Sequence, residues 1–263
     1  MIRILAIDGG GIGGIILAQL LTRLAADHPQ LIQKADIFAG TSTGGLIALG
    51  LADNRPPDFV ADLYLKQGSS IFGSHTSRIF PLNWIRAKWS PDGLRSIMED
   101  EFKEKTLADL AKPVVIPTVA LQRPDGKHTP AGIFLSTVPL KNGCPANMTK
   151  YVSDKWKCVD AALATAAAPT YFPAHRVTVG LGEWVLWDGG LVANNPSAVT
   201  LGEARRTYPP GTDFVILSLG CGYGQHAQVP GDWGRLNIWA VTEIISTALD
   251  TSVGSTAFLL RPS

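Results

Sequence analysis

Gly40-Thr41-Ser42-Thr43-Gly44 sets a serine between two glycines, with the apolar stretch ADIFAG leading into it and GGLIALGLAD leading out. A G-x-S-x-G pattern suits a nucleophile on a strained strand-to-helix turn. The flanking glycines let neighbouring chain come close, and the amino end of the helix favours negative charge developing at the serine. The same five residues also suit a purely structural turn. A serine hydroxyl is a weak nucleophile until a base takes its proton, so the reading depends on what stands near Ser42.

Each of the five histidines can be weighed as that base. His28 falls at the end of the first expected helix, where an imidazole is usually a cap or a surface group. His75, His128 and His226 fall in loops. His175, in YFPAHRV, is the candidate for a Ser–His–Asp triad. Asp188 is the stronger base: it follows the apolar run EWVLW and precedes Gly189 and Gly190. An aspartate partly desolvated beside a hydroxyl gains basicity. The plain alternative is a turn aspartate bonding its own backbone, the fate expected for Asp92-Gly93 and Asp125-Gly126.

A second glycine turn, DGGGIGG, runs from Asp8 to Gly14 and satisfies G-x-G-x-x-G through Gly9, Gly11 and Gly14. That spacing could hold a dinucleotide's pyrophosphate. The fingerprint also requires an acidic residue at the end of the second strand, and here that strand runs into the serine turn instead. The other use of such a turn is an oxyanion hole, with unencumbered N–H groups aimed at a tetrahedral intermediate. If the first two strands are neighbours, Gly10 and Gly11 lie beside Ser42.

The elements that must position these groups alternate. IRILAI (residues 2–7) reads as a strand, the following segment as a helix stopped by Pro29, ADIFAG as a second strand and GGLIALGLAD as a second helix. This order predicts a parallel sheet with right-handed crossovers. Further on, VVIPTVAL, GIFLSTV, EWVLWDGG and DFVILSLGCG read as strands, the last of them buried. DAALATAAAP reads as a small-residue helix, Asn195-Pro196 caps another that runs to Tyr208, and residues 233–249 read as a final amphipathic helix. The expected class is α/β, with residues 1–263 as a single domain. A continuation beyond the C-terminus could be absent from this sequence.

Charged residues make up 17% of the chain and the formal net charge is +1, so no long-range field points to nucleic acid. Cys144, Cys158 and Cys221 form no CxxC pair, and the histidines are dispersed, so no disulfide framework and no metal centre are expected. The N-terminal apolar run is too short for a signal peptide, and no apolar run reaches transmembrane length. The expected location is the cytoplasm, with any membrane contact peripheral. Residues 71–89 interleave Phe72, Phe80, Trp84 and Trp89 with Arg78, Arg86 and Lys88. Such a segment suits a membrane interface, and it suits a loop packed over the core with its cations in water, which is the favoured reading.

Together, DGGGIGG, GTSTG and DGGLVANNP, in this order, resemble the patatin-like phospholipases, and AAAPTYFPAH and LSLGCG are similar to further segments of that family. The resemblance runs from residue 2 to about residue 250. It implies a three-layer α/β/α fold with a mainly parallel central sheet. It also implies a Ser–Asp dyad, with Ser42 as nucleophile, Asp188 as base, Gly10 and Gly11 as oxyanion hole, and no cofactor. The implied activity is fatty-acid release from phospholipids or related acyl esters through an acyl-enzyme. The family's glycine motif usually carries Arg or Lys where this chain has Gly13, which predicts relatively better tolerance of neutral esters. Two other readings stay open: an α/β-hydrolase using His175, and a non-catalytic module that binds lipid or phosphate.

Overall fold

A computed structural model of the chain describes residues 1–59, 61–63, 65, 87–126, 129–139, 153–180, 182–222 and 256. Its strands are β1 (Ile2–Ile7), β2 (Ile37–Gly40), β3 (Val114–Gln122), β4 (Ala131–Ser136), β5 (His175–Val179), β6 (Gly182–Asp188) and β7 (Phe214–Leu219). Its helices are α1 (Gly14–Asp27), α2 (Gln30–Gln33), α3 (Thr43–Ala52), α4 (Asp92–Phe102), α5 (Cys158–Thr165), α6 (Gly190–Ala193) and α7 (Ser197–Thr207).

The layers follow from side-chain period. Along β1 and β2, Leu5, Ile7 and Phe38 join one apolar cluster, while Ile4, Ala6, Ile37 and Ala39 join a second on the opposite face. The first cluster takes in Leu17 and Leu21 of α1, Leu46 and Leu49 of α3, Leu94 and Ile97 of α4, and Leu163 of α5. The second takes in Ala204 of α7. The sheet therefore lies between two helical layers. In α4 the buried residues Leu94, Ile97, Met98 and Phe102 recur at helical spacing, as one apolar stripe requires. All residues of α3 are buried, so this helix is apolar all round and lies inside the protein.

Strand order is β5-β6-β3-β2-β1-β7, with β4 also paired to β3. The pairings β2–β3, β1–β2 and β1–β7 are parallel, as the opening alternation predicts. The pairings β3–β4, β3–β6 and β5–β6 are antiparallel. From β1 the chain steps to β2 and β3 on one side, whereas β7 joins β1 on the other. Helices from the two directions fall on opposite faces, which opens a crevice at the carboxyl ends of these strands. Asp8 and the glycine turn leave β1 there, and Ser42 follows β2.

β7 departs from the buried strand expected. It sits at the end of the sheet, and Val215 is 51% exposed. Of the 71–89 segment, residues 71–86 lie outside the described residues, as do His75, His128, His226, Cys144 and the 233–249 helix. Its described end is packed: Trp89 stacks on Tyr171 with centroids 5.3 Å apart, and the Lys88 and Trp89 N–H groups donate to Thr170 O and Tyr171 O. Lys88 Nζ lies 4.6 Å over the Trp89 ring. No described helix is long and apolar enough to cross a membrane.

Candidate active site

Ser42 stands between the last residue of β2 and the first of α3, at φ 52° and ψ −124°. An L-residue reaches this region only under strain. Close approach explains the two glycines of the motif. A Cβ on Gly40 would run into the Gly44 carbonyl, and one on Gly44 into the carbonyls of Ile7 and Asp8. The Ser42 carbonyl accepts from Gly45 N at 2.9 Å and Leu46 N at 3.2 Å, which starts the helix behind it. Strain alone does not mark a nucleophile, because Lys103 has nearly the same dihedrals at the end of α4.

Register brings Asp188 to the same level. Phe38 of β2 lies beside Val114 of β3, so counting four residues along both chains sets Ser42 level with Thr118, which pairs with Asp188. Asp188 is buried, its carboxyl accepts from Gly190 N at 2.7 Å, and the Ser42 side chain lies close enough to oppose the effect of that burial. Burial pushes its pKa up to about 7, against the opposing pull of the Gly190 and Ser42 hydrogen bonds. The turn aspartate and the candidate base are thus one residue. Asp188 bonds its own backbone at Gly190 and also meets the serine. Gly189 lets this turn press on β3, since a Cβ there would run into the Pro117 carbonyl.

The glycine turn completes the crevice. A Cβ on Gly9 would lie 3.3 Å from Ser42 Cβ, so the turn passes directly over the serine. Gly9 N donates to Asn194 O at 3.0 Å and Gly13 N to Gly10 O at 2.9 Å. Among the described residues Gly10 and Gly11, both exposed, make no such bond through their N–H groups. Hydroxyls fix the surroundings: Thr43 Oγ1 donates to Gly11 O at 2.7 Å, and Thr41 Oγ1 to Ala193 O at 2.6 Å. Asn195 caps α7, accepting from Ser197 N at 3.0 Å. The end of α1 nearest this turn is Gly14, held against Thr43.

His175 is placed elsewhere. It opens β5, is buried, and its Nε2 lies 3.1 Å from Asp160 Oδ1 of α5. Among the described residues it makes no contact with Ser42. At Gly13, a Cβ would meet Cys221 Cβ at 3.3 Å and Sγ at 3.5 Å, so any side chain there must share space with the thiol. Among the described residues no group of three His, Cys, Asp or Glu gathers in a way that could hold a metal ion.

Thr165 is a site residue that sequence reasoning missed. Its Oγ1 accepts from Ser42 N at 2.9 Å and donates to Pro117 O at 2.8 Å, and its carbonyl accepts from Gly189 N at 3.3 Å. The buried hydroxyl thus ties the serine turn to β3, and the carbonyl of the same residue holds the Asp188 turn. Within DAALATAAAP a threonine carries no signal beyond tolerance in a small-residue helix. Thr165→Val keeps the shape but strands a buried N–H, a loss of about 1–3 kcal/mol. Chemical denaturation should show that loss together with a fall in esterase rate, and Thr165→Ser should recover most of both. A Thr165→Val protein as stable and active as wild type would remove Thr165 from the site.

The sequence model of the Patatin-like phospholipase family matches residues 5–201. A cGAMP-activated phospholipase of Pseudomonas aeruginosa is 35% identical over 84% of this chain and 62% of its own length. Patatin-like protein 2 of Arabidopsis thaliana is 32% identical over 90% of this chain and 65% of its own. Calcium-independent phospholipase A2-gamma of Rattus norvegicus is 30% identical over 95% of this chain and 32% of its own. The chain therefore spans less than two thirds of each of these three relatives. Its match to the family model covers the serine turn, the glycine turn and Asp188 alike, and with these identities it means that the chain belongs to the patatin-like phospholipase family.

Proposed function

We propose that this protein is a lipid acyl hydrolase that releases fatty acids from phospholipids or related acyl esters through a Ser42–Asp188 dyad. One observation carries the reading: the Ser42 side chain meets a buried carboxyl on the neighbouring turn, beside the exposed glycines Gly10 and Gly11. Ser42 Oγ attacks the ester carbonyl carbon while its proton passes to Asp188. Gly10 and Gly11 N–H meet the oxygen that becomes negative. Collapse of the tetrahedral intermediate expels the alcohol, which takes the proton from Asp188 and leaves the acyl group on Ser42. Water then gives a proton to Asp188 and attacks the acyl carbon; the fatty acid departs and Ser42 regains its proton.

Lipid as the substrate class rests on the family and on relatives named as phospholipases. The dyad and the turn do the work for which a cation is an alternative, so activity in chelator is expected. Substrate held in a membrane would be met peripherally, through residues 71–89 with their interleaved aromatic and basic side chains. Gly13 supplies no cation to offset substrate phosphate, which favours neutral esters relative to relatives that carry Arg or Lys there.

The test is fatty-acid release from phospholipid and neutral-glyceride vesicles in chelator, with and without cyclic GMP-AMP because relatives are named for that activator. It is paired with labelling by a fluorophosphonate. Release from both lipid classes, with one label located on Ser42 by mass spectrometry, is the expected result. Saturable vesicle binding with neither label nor release would point to a binding module. Release that vanishes in His175→Ala but survives in Asp188→Asn would replace the dyad with a triad.

A further inference from the structure

Among the described residues, the reaction above leaves a buried carboxyl beside the site without a role. Asp8 follows β1 directly, is 3% exposed, and its Oδ1 is buried with no hydrogen-bond partner. Its Oδ2 receives a long bond of 3.4 Å from Asn195 Nδ2, which also donates to Ser218 Oγ at 3.0 Å. The Asp8 backbone is fixed by its N–H donating to Leu219 O at 2.9 Å, and the next three residues are the glycines of the turn.

Four elements meet at Asp8. The turn into α7 brings Asn195 to the carboxyl, and Ser218 of β7 shares that amide. The β7 exit brings Gly220, where a Cβ would lie 3.1 Å from Oδ2, and sets Cys221 beside Gly9; the turn after β2 brings Gly44 against the Asp8 carbonyl. The titratable group among these is the Cys221 thiol, which bonds Gly9 O at 3.6 Å. Among the described residues no charged neighbour shifts Asp8. A carboxyl shut into such a place without a cation is stable only in its neutral form, because an unpaired buried charge is far costlier than a buried neutral acid.

We propose that Asp8 is a positioning residue for the Gly9–Gly11 turn, which holds its oxyanion-binding geometry while the carboxyl is neutral and loses it when the carboxyl ionises, so that Asp8 sets the alkaline limit of activity. The inference rests on the acyl-hydrolase reading. Burial pushes Asp8 up to about 7, opposed by the Asn195 contact, so ionisation falls inside a working pH range. The anion would then have to claim N–H groups of the adjoining turn or draw in water, and either movement takes those donors away from the substrate. Were the turn to stay in place, a fixed negative charge one residue away would oppose the charge growing on the substrate oxygen. Asp188 must be ionised to act and Asp8 must be neutral, so the two carboxyls open and close the same window.

The test compares pH profiles of kcat and kcat/KM on a soluble nitrophenyl ester for wild type and Asp8→Asn. Wild type should give a narrow bell around neutrality. Asp8→Asn should keep the rising acid limb and lose the fall, so that its rate at about pH 9, relative to its own maximum, exceeds the wild-type fraction by ~10-fold or more. A merely structural role would lower the whole curve and leave its shape alone. The second measurement needs no turnover: the infrared band of a protonated carboxylic acid in Asp188→Asn, followed from acid to alkaline pH. A band that persists to neutrality and then disappears supports Asp8 as the remaining buried acid. A folded Asp8→Asn with the wild-type alkaline limb, or an Asp188→Asn protein without such a band near neutrality, overturns the inference. Wild type that turns over no ester would instead sink the acyl-hydrolase reading, and the band would still decide the state of Asp8.

Discussion

Asp188→Asn lowers acyl release by roughly a thousandfold or more, the order seen when a buried carboxylate is removed from a serine hydrolase. Asparagine fits the same space and can still accept from Gly190 N, so the turn that Asp188 now holds at 2.7 Å survives. What is lost is a site for the Ser42 proton. The acid limb of the wild-type profile should have its midpoint near the pKa of about 7 that burial gives Asp188, and in the variant that limb should vanish along with the rate.

Stability should move the other way. A carboxyl raised to about 7 keeps, in the folded protein, a proton that the unfolded chain releases near pH 4. Between those values the folded state binds more protons than the unfolded one, so stability falls as pH rises through the window. Asp8 acts with the same sign. Asp188→Asn therefore removes part of that decline, and its melting temperature should vary less than wild type's between pH 5 and 8. Esterase rates and melting curves across this range check both halves. A variant that keeps even a tenth of the wild-type rate, with its acid limb in place, would mean that another group takes the proton.

The parts of the site legible in the sequence are those written in backbone chemistry. Glycine is required around Ser42 and Asp8 by contacts a Cβ would break, or at Gly11 by a positive φ, and such requirements leave short local signatures. The run EWVLWDGG showed Asp188 at a strand end for the same reason. The alternation of the first fifty residues gave the parallel half of the sheet, because apolar strands and helices with glycine turns between them admit few other arrangements. The antiparallel half was less visible. HRVTV is a short strand with four of its five side chains partly or wholly in solvent, and only its pairing with β6 identifies it.

Side chains that act on distant backbone were not legible at all. Thr165 reaches Ser42 across 123 positions and Asn194 reaches Gly9 across 185; nothing near either residue in sequence announces its partner. Asp8 stands in the sequence only as the first residue of DGGGIGG, and the unpartnered Oδ1 is a property of four elements meeting. β7 misled in the opposite sense. DFVILSL is apolar enough for the interior, but among the described residues β7 is the last strand of the sheet, and Val215 is exposed there.

Ser42→Gly ends acyl release and yields a protein more stable than Ser42→Ala. Both variants lack the hydroxyl and should lose activity by roughly a thousandfold or more, so the comparison between them isolates the backbone. At φ 52° and ψ −124° residue 42 has the dihedrals of a type II′ turn's first central position, which glycine fills without penalty and alanine does not. Glycine forfeits some of this through the greater freedom of its unfolded chain, leaving a net advantage of about 1 kcal/mol, or ~2–4 °C for a chain of this size. Lys103 supplies the control. It has φ 51° and ψ −125°, is exposed, and lies outside the site. Lys103→Gly against Lys103→Ala should show the same sign and size of stability gain while acyl release stays at the wild-type level. Equal gains at both positions, with activity lost at one, would mean that the serine's conformation is an ordinary backbone cost that this fold bears in order to present a hydroxyl to Asp188. A Ser42→Gly protein less stable than Ser42→Ala would show instead that the turn is held by contacts strong enough to make the dihedral irrelevant. Ser42 would then carry no backbone strain that glycine could relieve.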